Sequence, residues 1–157
     1  LSGYDGIEVF NGVIKRLEGY ELSTDKWDYL LSNGRRVLGF ASDDFHIKND
    51  LYAGWNVVRT KDVSSESIFT ALKSGNFYAS SGVILADIYR ENDHITVESV
   101  NGEEIQAIGH DGRVLQIVKD RWITLDISKW DTGYIRFTIY GMGSSMAWTQ
   151  PFFNLEA

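Results

Sequence analysis

The chain has 157 residues, of which 43% are hydrophobic and 13% aromatic, so it can bury a core and is not a disordered segment. Its formal net charge of −7 comes without a cluster of Lys and Arg, which argues against nucleic-acid binding. It has no cysteine, so disulfides and thiolate metal sites are excluded. Carboxylates and imidazoles remain as the strong metal ligands.

Nothing in the chain looks like a targeting or membrane segment. No apolar run approaches the ~20 residues of a membrane-spanning helix. The first residues, Leu1 to Asp5, lack the charged and apolar regions of a signal peptide. We therefore expect a cytoplasmic protein that does not enter a membrane. The chain starts without Met, just before a strand-like run, which favours a portion of a longer protein.

Up to about residue 82, strand-like and helix-like runs alternate. The predicted elements are a strand at 6–10, a helix from Ser23 or Thr24 to Gly34, a strand at 36–42, a strand at 55–60, a helix from Ser64 to Gly75 and a short strand at 77–79. This β-α-β order is typical of parallel sheets with covering helices. Two or three such units do not close a barrel, so this part looks incomplete.

After residue 82, short strands follow one another. They are predicted at 83–90, 94–99, 104–108, 113–118, 122–127, 134–140 and 146–149, with turn residues between them. Alternation over 134–140 predicts one buried face and one wet face. The sequence therefore predicts an α+β chain in two parts: a partial β/α segment at 1–82 and an antiparallel β-sandwich at 83–157.

The strongest chemical signal is Asp43-Asp44-Phe45-His46, at the carboxyl end of the run 36–42. In an extended stretch Asp44 and His46 point to the same side and can bind one cation, and this donor pair suits Zn, Mn or Fe better than Ca. Asp43 faces the other way and is expected to orient His46 or to bind the backbone. The alternative is that both aspartates are turn or cap residues and His46 is a surface residue.

Other candidates are weaker. Glu8 is the one charged residue in an apolar strand, which predicts either a pocket carboxylate or a half-exposed strand residue. Asn11 is a turn residue or a polar wall of the same pocket. His94 and His110 fall at turns of the second part and are not expected to be catalytic. Tryptophans at 130 and 148 would bind sugars only if they were exposed.

Several blocks resemble the last part of the PHP family of metal-dependent phosphoesterases. They are Asp5 to Gly12, Trp27 to Gly34, Arg36 to His46, Gly54-Trp55, Ser64 to Gly82 and, in a β-sandwich appended to some members, Met146 to Pro151. The match covers nearly the whole chain. It implies a distorted seven-stranded β/α barrel with two or three divalent metals, and it places the closing Asp-x-His metal motif on Asp44 and His46.

The resemblance implies hydrolysis of a phosphorylated small molecule, with Asp43, Glu8 and Asn11 lining the pocket. The family's His-x-His motif is not in this chain, so we expect the N-terminal half of the barrel to lie elsewhere. The chain alone is then expected to be inactive and to bind a divalent metal weakly or not at all. A neighbouring chain could complete the barrel in trans, and a homo-oligomer stays open. The alternative function is a non-enzymatic β-sandwich module that binds a partner or a glycan.

Overall fold

The computed structural model describes residues 3–153, which form three α-helices and eleven strands. The helices are α1 (Gly12–Arg16), α2 (Thr24–Ser32) and α3 (Ser65–Lys73). The strands are β1 (Gly6–Asn11), β2 (Leu38–Ser42), β3 (Trp55–Val58), β4 (Phe77–Ser80), β5 (Leu85–Glu91), β6 (His94–Ser99), β7 (Gly102–Ile108), β8 (Val114–Val118), β9 (Trp122–Asp126), β10 (Arg136–Gly141) and β11 (Met146–Thr149). Within 3–153, no helix combines the length and apolarity that crossing a membrane requires.

The strands form three sheets. The largest has six strands in the order β3-β4-β11-β10-β7-β8, and every neighbouring pair in it is antiparallel. A second antiparallel sheet has the order β5-β6-β9. Among residues 3–153, β1 and β2 are the only strands that pair in parallel. The chain is thus a β-rich α+β protein with mainly antiparallel sheets, as the sequence predicts at that level.

The two antiparallel sheets pack face to face and form the larger core. Apolar side chains from alternate positions of each strand meet between them, as expected for sheets with one face in the core. Its most buried members are Val83, Ile95, Val97, Ile105, Ala107, Ile123, Leu125, Ile127, Ile135, Phe137 and Ile139.

The second face of β10 is covered, which corrects the prediction of a wet face. Arg136 and Thr138 lie on that face and are each only 2% exposed. The α2 helix packs over them, and its buried Asp28 receives hydrogen bonds from Arg136 Nε (2.7 Å) and Nη2 (2.5 Å) and from the Tyr134 hydroxyl (2.8 Å). Arg136 and Thr138, which the alternation predicts to face solvent, are therefore buried and have hydrogen-bond partners.

The strands β3 and β4 are antiparallel to each other, and so the β-α-β order does not extend to them. The backbone N–H of Arg59 donates to the carbonyl of Asn76 (2.8 Å), so α3 begins and ends at the same edge of the sheet. The pair is a hairpin whose long loop contains α3. Because β4 pairs with β11, the six-stranded sheet takes strands from both sides of residue 82.

The parallel β1–β2 pair lies against the large sheet and shares a second core with it. The ring of Phe10 stacks on that of Trp148, with centroids 5.7 Å apart. Two side-chain amides bind the backbone of β2. The Asn56 amide pairs with the N–H and C=O of Ala41 (3.0 and 2.9 Å), and the Gln150 amide pairs with those of Gly39 (2.9 and 2.8 Å). Each amide therefore makes to β2 the same pair of hydrogen bonds that the backbone of a neighbouring strand would make.

Candidate functional site

The parallel pairing brings the predicted site residues to one place. In register, Asn11 at the end of β1 stands opposite Ser42 at the end of β2. Loops that follow the carboxyl ends of neighbouring parallel strands converge at one edge of a sheet. We call the group formed there by Glu8, Asn11, Ser42, Asp44 and His46 the β1–β2 rim.

One amide joins the two carboxylates of the rim. Asn11 Nδ2 donates to Glu8 Oε2 (3.0 Å) and to Asp44 Oδ2 (3.2 Å). The Ser42 hydroxyl donates to the other oxygen of Glu8 (2.5 Å). Asn11 also caps α1, because its Oδ1 accepts from the N–H of Ile14 (3.0 Å). Asn11 is therefore the N-cap of α1, where a turn residue was one of its two expected roles, and it also bonds both carboxylates of the rim.

Asp44 and His46 lie together, although a turn and not an extended stretch brings them together. Asp44 has a φ of 53°, in the left-handed region. His46 Nδ1 lies 2.5 Å from the backbone oxygen of Asp44 and 3.8 Å from its Oδ1. A carbonyl oxygen only accepts, so Nδ1 carries the proton and the neutral ring has its lone pair on Nε2. The imidazole side chain is 63% exposed, so this lone pair is available to a ligand.

Asp43 binds backbone, which is one of its two expected roles. Its Oδ1 accepts from the N–H groups of Ala53 (2.7 Å) and Gly54 (2.9 Å), and its Oδ2 from that of Tyr52 (3.3 Å). These bonds close the segment 43–54 into a loop. At Gly12, a Cβ would lie 2.4 Å from that of Ala53, so only glycine lets the start of α1 approach this loop so closely.

Asp50 was not singled out from the sequence; it is 2% exposed and lies within this same loop. Its Oδ2 accepts from the N–H groups of His46 (2.9 Å) and Ile47 (2.8 Å), and its Oδ1 from Arg16 Nε (2.6 Å). Burial by itself would raise the pKa of Asp50, but these amides and the guanidinium outweigh it and hold the pKa below its usual value. The sequence feature that could have indicated this role is the position of Asp50 three residues after Ile47, a spacing at which a carboxylate can cap a turn.

The remaining candidates lie away from the rim or are buried. His94 and His110 are exposed, and His110 Nε2 is 3.6 Å from Asp111 Oδ2 in a separate His–Asp pair. Trp148 is 0% exposed, so the sugar-binding role considered for it is wrong. Trp130 packs against the sandwich core, and the exposed tryptophan is Trp122, at 56%.

The rim provides two suitable donors for a divalent metal, the Asp44 carboxylate and His46 Nε2. Among residues 3–153, no group of three or more His, Asp and Glu side chains is arranged to hold a metal ion. Catalytic zinc sites use about three protein ligands. The residues fit one side of such a site.

The loop that carries His46 is also rich in exposed apolar side chains. Phe45, Ile47, Leu51 and Tyr52 are between 48% and 84% exposed.

Searches against protein-family models, curated proteins and solved structures find no match to this chain.

Proposed function

We propose that this chain is the C-terminal part of a metal-dependent phosphoesterase of the PHP type, in which Asp44 and His46 hold a divalent Zn, Mn or Fe ion. One observation carries the proposal. The contact between His46 Nδ1 and the Asp44 carbonyl, 2.5 Å long, leaves Nε2 of a 63% exposed ring free to bind a ligand. Hydrogen bonds from the other ring nitrogen to a backbone carbonyl commonly set the tautomer of metal-binding histidines.

The chemistry follows from these donors. A bound divalent ion would lower the pKa of its water towards neutrality and offset the charge of phosphate oxygens. Asn11 holds the Asp44 carboxylate in place through a 3.2 Å hydrogen bond. Glu8 is held by Ser42 and Asn11, so it lines the pocket with fixed negative charge beside Asp44.

The other metal ligands would come from outside this chain, on the N-terminal half of the barrel. The support is the number of donors: within residues 3–153, Asp44 and His46 provide two and no group of three is arranged to hold a metal, whereas catalytic zinc sites use about three protein ligands. A phosphorylated small molecule would bind between the two halves.

Zinc binding tests the metal site directly. Isothermal titration of the chain with Zn²⁺ should show at most a weak site, because the other ligands lie outside this chain, and Asp44→Asn or His46→Gln should weaken it at least about tenfold. The chain offers a matched control in His110→Gln and Asp111→Asn, which change another exposed His–Asp pair whose aspartate also has a positive φ of 55°. Equal losses in the rim and control variants would refute a specific site.

Phosphoester hydrolysis needs its own assay. In the polypeptide that carries the remaining ligands, hydrolysis of p-nitrophenyl phosphate with Mn²⁺ should fall by more than about a hundredfold in His46→Gln, because the metal generates the nucleophile. Zinc binding at the rim without any phosphoesterase activity in the unaltered protein would leave a metal site but reject this reaction.

A further inference from the structure

The buried Asp50 carboxylate links the two segments that carry the rim. Arg16 is the last residue of α1, the helix that Asn11 caps, and His46 lies in the loop after β2. Asp50 binds both, with Arg16 Nε on one oxygen and the His46 and Ile47 amides on the other. The Asp50 side chain is 0% exposed, so water does not compete for these bonds.

His46 is held at two points by this arrangement. The backbone N–H of the residue donates to Asp50 (2.9 Å), and the Nδ1 atom of its ring contacts the Asp44 carbonyl (2.5 Å). The second contact requires the ring to fold back over Asp44, whose φ of 53° is in the left-handed region. The hydrogen bonds from the His46 and Ile47 amides to Asp50 hold these two residues in the turn after Asp44.

We propose that Asp50, supported by Arg16, is a positioning residue that holds the His46 imidazole as the Nδ1–H tautomer with Nε2 directed outward. This inference rests on the proposed metal site for its purpose, but its geometry is independent of any metal. Without the two amide bonds, residues 46 and 47 are free to leave the turn, and the Nδ1 contact is lost with them. A free imidazole then takes either tautomer.

Nitrogen-15 NMR of the metal-free chain tests the positioning role, because the ring nitrogen shifts report which atom carries the proton. We expect the Nδ1–H form to predominate at His46 at pH 8 and to be replaced by a tautomer mixture in Asp50→Asn. Arg16→Met removes the supporting cation, keeps Asp50, and should shift the mixture in the same direction. If Asp50→Asn does not fold, Arg16→Met decides the question.

Asp62 provides the matched control. It is another carboxylate that organises a turn, accepting from the Ser64 N–H (2.9 Å) and the Ser67 hydroxyl (3.0 Å) at the start of α3. Asp62→Asn should leave the His46 tautomer unchanged. A folded Asp50→Asn variant with the unaltered Nδ1–H tautomer would overturn the inference.

Zinc affinity separates this inference from the proposed function. If the chain binds Zn²⁺, Asp50→Asn should weaken binding about 10- to 100-fold, the usual effect of losing an outer partner of a metal ligand, and Asp62→Asn should stay within about twofold. If the unaltered chain does not bind Zn²⁺, the proposed metal site fails, whereas the tautomer experiment still decides whether Asp50 positions His46.

Discussion

At the residue scale, Arg136 is a buried cation whose partners are also buried. Its guanidinium is satisfied by both oxygens of Asp28 and by a bond from Nη1 to the Thr138 hydroxyl (2.8 Å), and it lies 5.1 Å from the Trp27 ring centroid. Burial, followed by the neighbouring Asp28 charge, raises the pKa of Tyr134, so its hydroxyl stays protonated and donates to Asp28.

Removing Arg136 should therefore be strongly destabilising. Arg136→Met leaves Asp28 as a buried charge without its cation, and we expect a loss of about 3–5 kcal/mol in the free energy of unfolding. Arg59 is the matched control, since its pair with Asp87 is longer, at 3.6 Å, and exposed. Arg59→Met should change the stability by less than about 1 kcal/mol. Urea titrations that give equal losses for both variants would contradict this reading of the buried pair.

At the element scale, β2 is held on one side by a strand and on the other by side chains. The β1 backbone pairs with it in parallel, and the amides of Asn56 and Gln150 bond to alternate residues along its other edge. Those amides satisfy backbone groups that would otherwise be buried without partners. The consequence is that β2 joins the large sheet without any backbone ladder to it.

Gln150 should accordingly matter more than its position near the end of β11 implies. Gln150→Leu keeps an apolar body of similar size but leaves the N–H and C=O of Gly39 unpaired, which should cost about 2–4 kcal/mol. Gln116→Leu, on the half-buried edge strand β8, should change the stability by no more than about 0.5 kcal/mol. Thermal unfolding monitored by circular dichroism compares the two, and indistinguishable midpoints would show that the amide bonds contribute little.

At the scale of the whole molecule, the two parts predicted from sequence share a sheet and a core. β4 comes from the first part and pairs with β11 of the second, while Phe10 and Trp148 stack across them. Neither part can unfold without exposing the apolar surface of the other.

Equilibrium unfolding should therefore be a single transition. In a variant with Trp122→Phe and Trp130→Phe, which removes the two tryptophans of the sandwich, fluorescence reports Trp27 and Trp148 in the shared core together with Trp55 of β3. Far-UV circular dichroism reports the sheets of the sandwich. In urea the two signals should give the same midpoint within error, as a cooperative unit requires. A fluorescence transition at lower urea would show instead that the β1–β2 part opens on its own.

The sequence predicted correctly those features that depend on neighbouring residues and missed those that depend on residues distant in the chain. The bounds of β6 and β11 were predicted as observed, because alternation and turn residues lie within each strand. The direction of β3 and β4 was missed, because it depends on where α3 returns the chain. The burial of Arg136 depends on α2, which lies over a hundred positions away in sequence.

The site was predictable to a similar degree. Asp44 and His46 were singled out because they follow a predicted strand, Asn11 because it follows another, and Glu8 because it is the one charge in an apolar strand. The ends of the two strands do meet. Roles in metal binding stay a prediction. Asp50 was missed because a carboxylate in a loop reads as a solvated charge until its partners, Arg16 and the His46 amide, are known.

The side-chain edge of β2 has a further consequence for recognising distant relatives of this fold. A backbone ladder tolerates nearly any substitution, since every residue except proline has the same donor and acceptor. Here the pairing depends on the chemical identity of two side chains, because only Asn and Gln carry an amide N–H donor and a C=O acceptor side by side, whereas Asp and Glu lack the donor. An amide at each of positions 56 and 150, together with the glycine at 39, is a signature that drift elsewhere in the sequence would leave in place.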